Sequence, residues 1–378
     1  MSLPQVADPA NPAKAVRHSV LDGWRGLSVL VVAISHVTLG RLSDAVSSGP
    51  FVDRVSENTQ ASILRLAEKG GVFGVSIFFG ISGLLISDIL LKQETADGAV
   101  SFRRFYLRRA FRILPALLVY VLAIHVLARL DLIDVGSSDF VPALTFTCDA
   151  TPCHWFFGHL WTLSVEEQFY LAWPILLVLF GSQRVIFVRL LCALALWSAG
   201  LRLFDAYAPT GGGFASIALG SLYAIDPWFR TALQRIASPG VSTISLAVFV
   251  SQTVLPQSFA VQLTFGFINP ICIFLIFVET LNERSILRRA VGLTVFQRLG
   301  LASYSIYLWQ QVFTAKPIFY LQDSFPQYLV LALTASWLSF RFVEAPLIEI
   351  GRRLSSGPDP SGRLIHSSSL TSAQSSIR

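Results

Sequence analysis

A few ionisable residues interrupt long apolar runs in this sequence, and charge is costly inside such runs, so these are the positions where chemistry is expected. The first run, LDGWRGLSVLVVAISH, carries Arg25 and His36. Eleven helical residues amount to ~1100° of turn and ~16 Å of rise, so both side chains project from nearly one face, at opposite ends of the segment. A guanidinium at one end suits an anionic group, and an imidazole at the other can take a proton from an attacking hydroxyl. The run FRRFYLRRAFRILPA adds Arg109 and Arg112, three apart on one helical face and at the depth expected for Arg25. In HLWTLSVEEQFYL, Glu166 and Glu167 stand at the start of another apolar run. A carboxylate orients a catalytic imidazole and stabilises its protonated form, so Glu166 is expected to partner His36. Blander readings exist for each: arginines that snorkel to headgroups or mark topology, and acids that favour a helix N-terminus. Arg103 and Arg104 need no more than the topological reading. His125, near the far end of the same run as Arg109, is the runner-up base.

The elements that must position these groups are transmembrane helices. Of 378 residues, 53% are hydrophobic and only 14% are charged. A soluble domain carries about 25% charged residues, so this chain lacks the charge to face water all round. Spanning the hydrocarbon core takes about 17–25 apolar residues. Runs of that kind fall at 20–39, 71–91, 110–130, 160–180, 185–204, 213–226, 239–256, 258–280, 299–321 and 327–348, the sixth being short and glycine-rich. The expected fold class is therefore all-α, a polytopic transmembrane helix bundle of about ten spans. Residues 1–19 form an N-terminal segment with no apolar stretch of the signal-peptide kind, 20–353 the membrane domain, and 354–378 a disordered Ser-rich tail. With both termini in the cytoplasm, most of the 29 Lys and Arg fall in inside segments, as the positive-inside rule demands. The net charge of +6 then records topology rather than affinity for nucleic acid.

Four cysteines are too few for a disulfide scaffold. Cys192 and Cys272 lie in apolar runs as inert core residues. Cys148 and Cys153 flank a polar turn in the outer segment 131–158 and are expected to bond to each other if that compartment is oxidising. His154 and His159 lie close by, but the spacing fits no usual zinc pattern, so no metal is expected. Trp155, Trp161 and Trp173 read as interface or packing residues.

In order along nearly the whole chain, these segments resemble the acyltransferase-3 family of integral-membrane O-acyltransferases that act on carbohydrates. LDGWRGLSVLVVAISH is similar to that family's first helix, GVSIFFGISGLLI to its second and FYLRRAFRILPA to its Arg-rich third. HLWTLSVEEQFYLAWP places Glu166 on the family's Glu, and LASYSIYLW and FRFVEAPL, the latter with Glu344, resemble the last two helices. One departure stands out. Gln310 and Gln311 follow Trp309 where the family commonly has His.

The resemblance implies transfer of an acyl group, usually acetyl from acetyl-CoA or another acyl-CoA, to a hydroxyl of a carbohydrate or glycosylated small molecule. Arg25, Arg109 and Arg112 would hold the phosphates of the donor at the inner mouth. His36 would deprotonate the acceptor with Glu166 as its partner, and Ser82, Glu167 and Tyr304 would line the substrate path. The expected setting is a multi-pass protein of a bacterial inner membrane, in contact with lipid. The competing classes are a small-molecule transporter, which would use the same intramembrane charges without acyl-CoA, and a receptor or structural protein, which would tolerate loss of His36.

Overall fold

A computed structural model describes residues 12–48, 57–201, 210–252, 255, 258–314 and 325–355. The N-terminal residues 1–11 and the Ser-rich tail from 356 onward lie outside the described residues. The described residues contain no β-strand.

Three long helices come first: α1 (Pro12–Ser48), α2 (Glu57–Asp97) and α3 (Phe102–Arg129). After two short helices, α4 (Phe140–Thr145) and α5 (Trp155–Gly158), come α6 (Trp161–Phe180), α7 (Arg184–Leu201) and α8 (Thr210–Ile225). Next are α9 (Pro227–Ile236), α10 (Pro239–Ser251), α11 (Phe259–Glu279), α12 (Ile286–Val291), α13 (Thr294–Leu301) and α14 (Ser303–Thr314). The last are α15 (Phe325–Ser339) and α16 (Ala345–Ser355), joined by a π-helical turn over Phe340–Glu344.

Each of the ten apolar runs is helical in its described part. Among the described residues six segments are long and apolar enough to cross a membrane, seven if the bent pair α9–α10 counts as one. The difference from about ten has physical sources. Helices α6 and α7 follow one another with only a 3-10 turn between them and register as one segment, Trp155–Leu201, while α8 is short for a span. Helices α1 and α2 also run further than their apolar cores, into the polar residues on either side.

The outside of the bundle is apolar. Along α6 and α7, Leu171, Val178, Leu179, Leu190 and Leu194 are all exposed, Leu179 at 73%. A row of this kind along adjoining helices has no place in water and fits acyl chains, so the chain is a multi-pass membrane protein.

Small residues let the inner helices approach closely. A Cβ on Gly26 would collide with the backbone oxygen of Phe296, which draws α1 against α13. A Cβ on Gly83 would collide with that of Ile217, and one on Gly220, in the sixth run, with that of Gly80, which draws α2 against α8. Buried indoles add directional ties. Trp24 Nε1 donates to Thr280 Oγ1 (2.8 Å), linking α1 to the end of α11, and Trp173 Nε1 donates to Ser87 Oγ (2.9 Å), linking α6 to α2. Bonds of this kind are strong where water cannot compete. Together they tie α1 to α11 and α13, and α2 to α6 and α8.

Candidate active site

Five helices contribute to a single cavity of about 80 Å³, whose lining includes Arg25 from α1, Ser82 from α2, Arg109 and Arg112 from α3, Thr162, Glu166 and Tyr170 from α6, and Ser303, Tyr304 and Tyr307 from α14. The i, i+3 spacing of the two α3 arginines turns both guanidinium groups inward, and α1 brings Arg25 to them through its close seat on α13.

Arg25 lies 3.8 Å from Asp22, one turn back on its own helix. Arg109 stacks on the ring of Tyr170, its Cζ 4.7 Å from the centroid. Neither Arg109 nor Arg112 has a hydrogen-bond acceptor or an ion-pair partner among the described residues. Three guanidinium groups therefore face this cavity against one lining carboxylate, Glu166. An uncompensated buried charge is costly, so a wall of this composition favours an anionic occupant. Glu344, buried at 2% exposure on the π-helical turn, accepts a hydrogen bond from Ser305 Oγ (2.7 Å) and interacts with the charges of Arg112 and Arg25 from outside the lining.

Glu166 is held by a short relay. Tyr170 Oη donates to Ser82 Oγ (3.1 Å), and Ser82 Oγ donates to Glu166 Oε1 (2.5 Å). Glu167 is not part of the cavity lining, and its Oε1 is buried without a hydrogen-bond partner among the described residues. Tyr304 donates to the backbone oxygen of Ile113 (2.9 Å), which ties α14 to α3. Thr162 Oγ1 donates to the Tyr307 hydroxyl (2.6 Å), which in turn donates to the backbone oxygen of His159.

His36 does not line this cavity, and the expected His36–Glu166 pairing is not formed. The partner of His36 is Gln310: its Nδ1 lies 2.8 Å from the amide Nε2 and 3.2 Å from Oε1. The reason lies in the depth of Glu166. Glu166 is the sixth residue of a helix starting at Trp161, so it sits ~7.5 Å along the axis, level with the arginines. Gln310 lies on the face of α14 that carries Ser303, Tyr304 and Tyr307, at steps of three and four residues. The seam between α1 and α14 thus runs from Arg25 and Tyr304 in the cavity to His36 and Gln310 beyond it.

The remaining candidates are dispersed. His125 is exposed and packs its ring on Phe140 (5.5 Å between centroids), away from the cavity. His154 caps α5 by accepting from the backbone N–H of Phe156. His159 is buried between the rings of Tyr120 and Tyr307. Cys148 and Cys153 are joined by a disulfide, with Cα atoms 5.6 Å apart, and Ser164 Oγ accepts from the Cys148 backbone N–H (3.2 Å). Among the described residues no cluster of three metal-ligating side chains occurs.

Sequence reasoning did not assign Thr162, Tyr307 or Gln310 a place at the site. The SYSIYLWQQ stretch did hold a signal, because polar residues at 303, 304, 307 and 310 repeat with helical period inside an apolar run.

A helical membrane bundle here brings buried arginines and a carboxylate together on one cavity. The acyltransferase domain family of the acyltransferase-3 type matches residues 18–342, and the chain belongs to that family. It is 25% identical over 333 residues to the peptidoglycan O-acetyltransferase OatA of Listeria monocytogenes, covering 75% of this chain and 52% of that protein. It is likewise 25% identical over 386 residues to the O-acetyltransferase OatA of Staphylococcus aureus (strain NCTC 8325), covering 88% of this chain and 57% of that protein. The chain thus spans about half the length of the curated relatives it matches. No solved structure matches it.

Proposed function

We propose that the protein transfers an acyl group, most simply acetyl, from acyl-CoA to a hydroxyl of a carbohydrate or glycosylated acceptor at the cell membrane. The observation that carries the reading is the pair Arg109 and Arg112, two guanidinium groups turned into a buried cavity without an acceptor among the described residues. The phosphates of CoA supply that charge, and guanidinium groups bind phosphate through paired, charge-assisted hydrogen bonds. Family membership supports acyl transfer, the two named relatives support acetyl as the group, and the Listeria relative, a peptidoglycan O-acetyltransferase, supports a carbohydrate polymer as one acceptor class.

In this reading the arginines grip the donor with both termini of the protein on the cytoplasmic side. The acyl thioester extends along the α1–α14 seam towards His36. The acceptor oxygen attacks the thioester carbonyl while His36 takes the hydroxyl proton, the C–S bond breaks, and the proton passes to the departing CoA thiolate. The products are an ester and free CoA. Glu166 belongs to the donor tier: the Tyr170–Ser82 relay holds its carboxylate in the cavity that Arg109 and Arg112 line, where its charge offsets part of theirs.

The test is incorporation of a labelled acetyl group into cell glycans and exported metabolites, with and without the gene. Loss of one ester-linked product on deletion, restored by the wild-type gene and not by His36→Ala, is the expected result. An unchanged ester profile together with altered uptake or efflux of a solute would overturn the reading in favour of transport.

A further inference from the structure

We propose that Gln310 is the positioning residue for His36, accepting a hydrogen bond from Nδ1–H through its amide oxygen and so leaving Nε2 as the nitrogen that takes the acceptor's proton. The proposal rests on the reading of His36 as the base and deepens it. Neutral imidazole carries one proton, and the nitrogen without it is the one that can act as a base. Both ends of the Gln310 amide lie against one ring nitrogen of His36, Nδ1, with Nε2 at 2.8 Å and Oε1 at 3.2 Å. An amide oxygen facing Nδ1 requires the proton there and frees Nε2. An amide nitrogen facing it requires Nδ1 bare and puts the proton on Nε2, which removes the base. A half-turn of the amide group exchanges the two, so the reacting form has the oxygen on the ring.

Three observations make Gln310 a built partner rather than a neighbour. Its side chain is buried, at 2% exposure, where an amide without a partner is costly. It contacts His36 across 274 residues of sequence. It also lies on the cavity-lining face of α14, two turns beyond Ser303, so the helix that shapes the donor cavity also carries the group that sets the ring. The usual carboxylate partner of a catalytic His is replaced here by a neutral amide. It fixes the ring and the tautomer but adds no negative charge to hold the imidazolium.

Other titratable groups surround this end of α1. Glu68 and Lys69 on α2 follow Ala67, whose backbone oxygen accepts from Ser35 Oγ (2.5 Å), and they pair with each other at 3.6 Å. His159, beside Tyr307, is close enough for its charge and that of His36 to interact.

The test compares Gln310→Leu and Gln310→Glu with the wild type in the purified full chain, measuring kcat, KM for acetyl-CoA, CoA binding and the pH profile of turnover. Leucine keeps the bulk and removes the acceptor. An ionised glutamate can only accept, and it adds charge. Gln310→Leu is expected to keep CoA binding and the KM for acetyl-CoA while kcat falls roughly 10- to 100-fold, within the range a general base contributes. Gln310→Glu is expected to stay active, with the acid limb of its profile moved about one unit or more towards higher pH, because the carboxylate favours the imidazolium. That shift should persist in a His159→Phe background, which assigns it to His36. Wild-type kcat in Gln310→Leu would overturn the proposal. Equal loss in both variants across the whole pH range would also overturn it, since the amide would then be a donor. Near-normal turnover of His36→Ala is a separate failure, of the base reading itself.

Discussion

Removing one cavity arginine should weaken CoA binding by an amount the geometry sets. In Arg112→Ala the side chain deleted has no protein acceptor among the described residues, so the loss reports a ligand contact rather than a broken internal bond. A hydrogen bond to a charged group contributes about 1.5–3 kcal/mol. At 1.4 kcal/mol for each factor of ten, the dissociation constant should rise roughly 10- to 150-fold. Arg109→Ala should cost at least as much, because the guanidinium 4.7 Å from the Tyr170 centroid also holds that wall. Arg109→Lys should recover only part, since an ammonium keeps the charge and loses both the planar fork and the stacking. Calorimetric titration of CoA into detergent-purified variants provides the values. A parallel titration with an acyl-pantetheine thioester, which lacks the nucleotide phosphates, should show a smaller loss, because the deleted contact was never made to it. Wild-type CoA affinity in both alanine variants would refute the reasoning and leave the arginines as topology anchors.

His36→Ala should abolish turnover by ~10²–10⁴-fold while CoA binding stays within about twofold of wild type, measured on the same purified samples. Glu166→Gln should instead lower the dissociation constant for CoA, because it removes the one carboxylate that lines the cavity beside three guanidinium groups, and an unchanged CoA affinity would contradict its placement there. Gly26→Leu or Gly83→Leu should abolish stable expression, since a side chain at either position meets a backbone oxygen of the neighbouring helix, and a normally folded, thermally unchanged variant would show that the helices can part. Cys148→Ser/Cys153→Ser should lower thermal stability and leave kcat near wild type, as the disulfide pins a loop to Ser164 and not to the cavity.

Much of this was legible in the sequence for simple reasons. Each apolar run becomes helical because an unpaired backbone group cannot be left in hydrocarbon. The spacing of Arg109 and Arg112 fixes their shared face without any knowledge of neighbours. What periodicity cannot supply is which faces meet and at what depth. Glu166 looked like a partner for His36 because, on the sequence alone, the start of the run 160–180 places its acids at the depth of His36. In the bundle that helix enters one and a half turns before Glu166, and the carboxylate meets Ser82 instead. The place beside His36 falls to Gln310, a residue conspicuous only as an exception to the family pattern. The short sixth run was doubtful from hydropathy alone. Its Gly220 acquires a purpose only once it is seen against the backbone of Gly80 on α2.

The most direct test is turnover by the purified full chain in lipid vesicles, given labelled acetyl-CoA and a panel of carbohydrate acceptors. Free thiol and acylated acceptor are counted in the same reaction. Equal, acceptor-dependent release of CoA and formation of a labelled ester, both abolished in His36→Ala, is the predicted result. Binding of acetyl-CoA with no ester formed on any acceptor, or ester formation that persists undiminished in His36→Ala, would contradict the account.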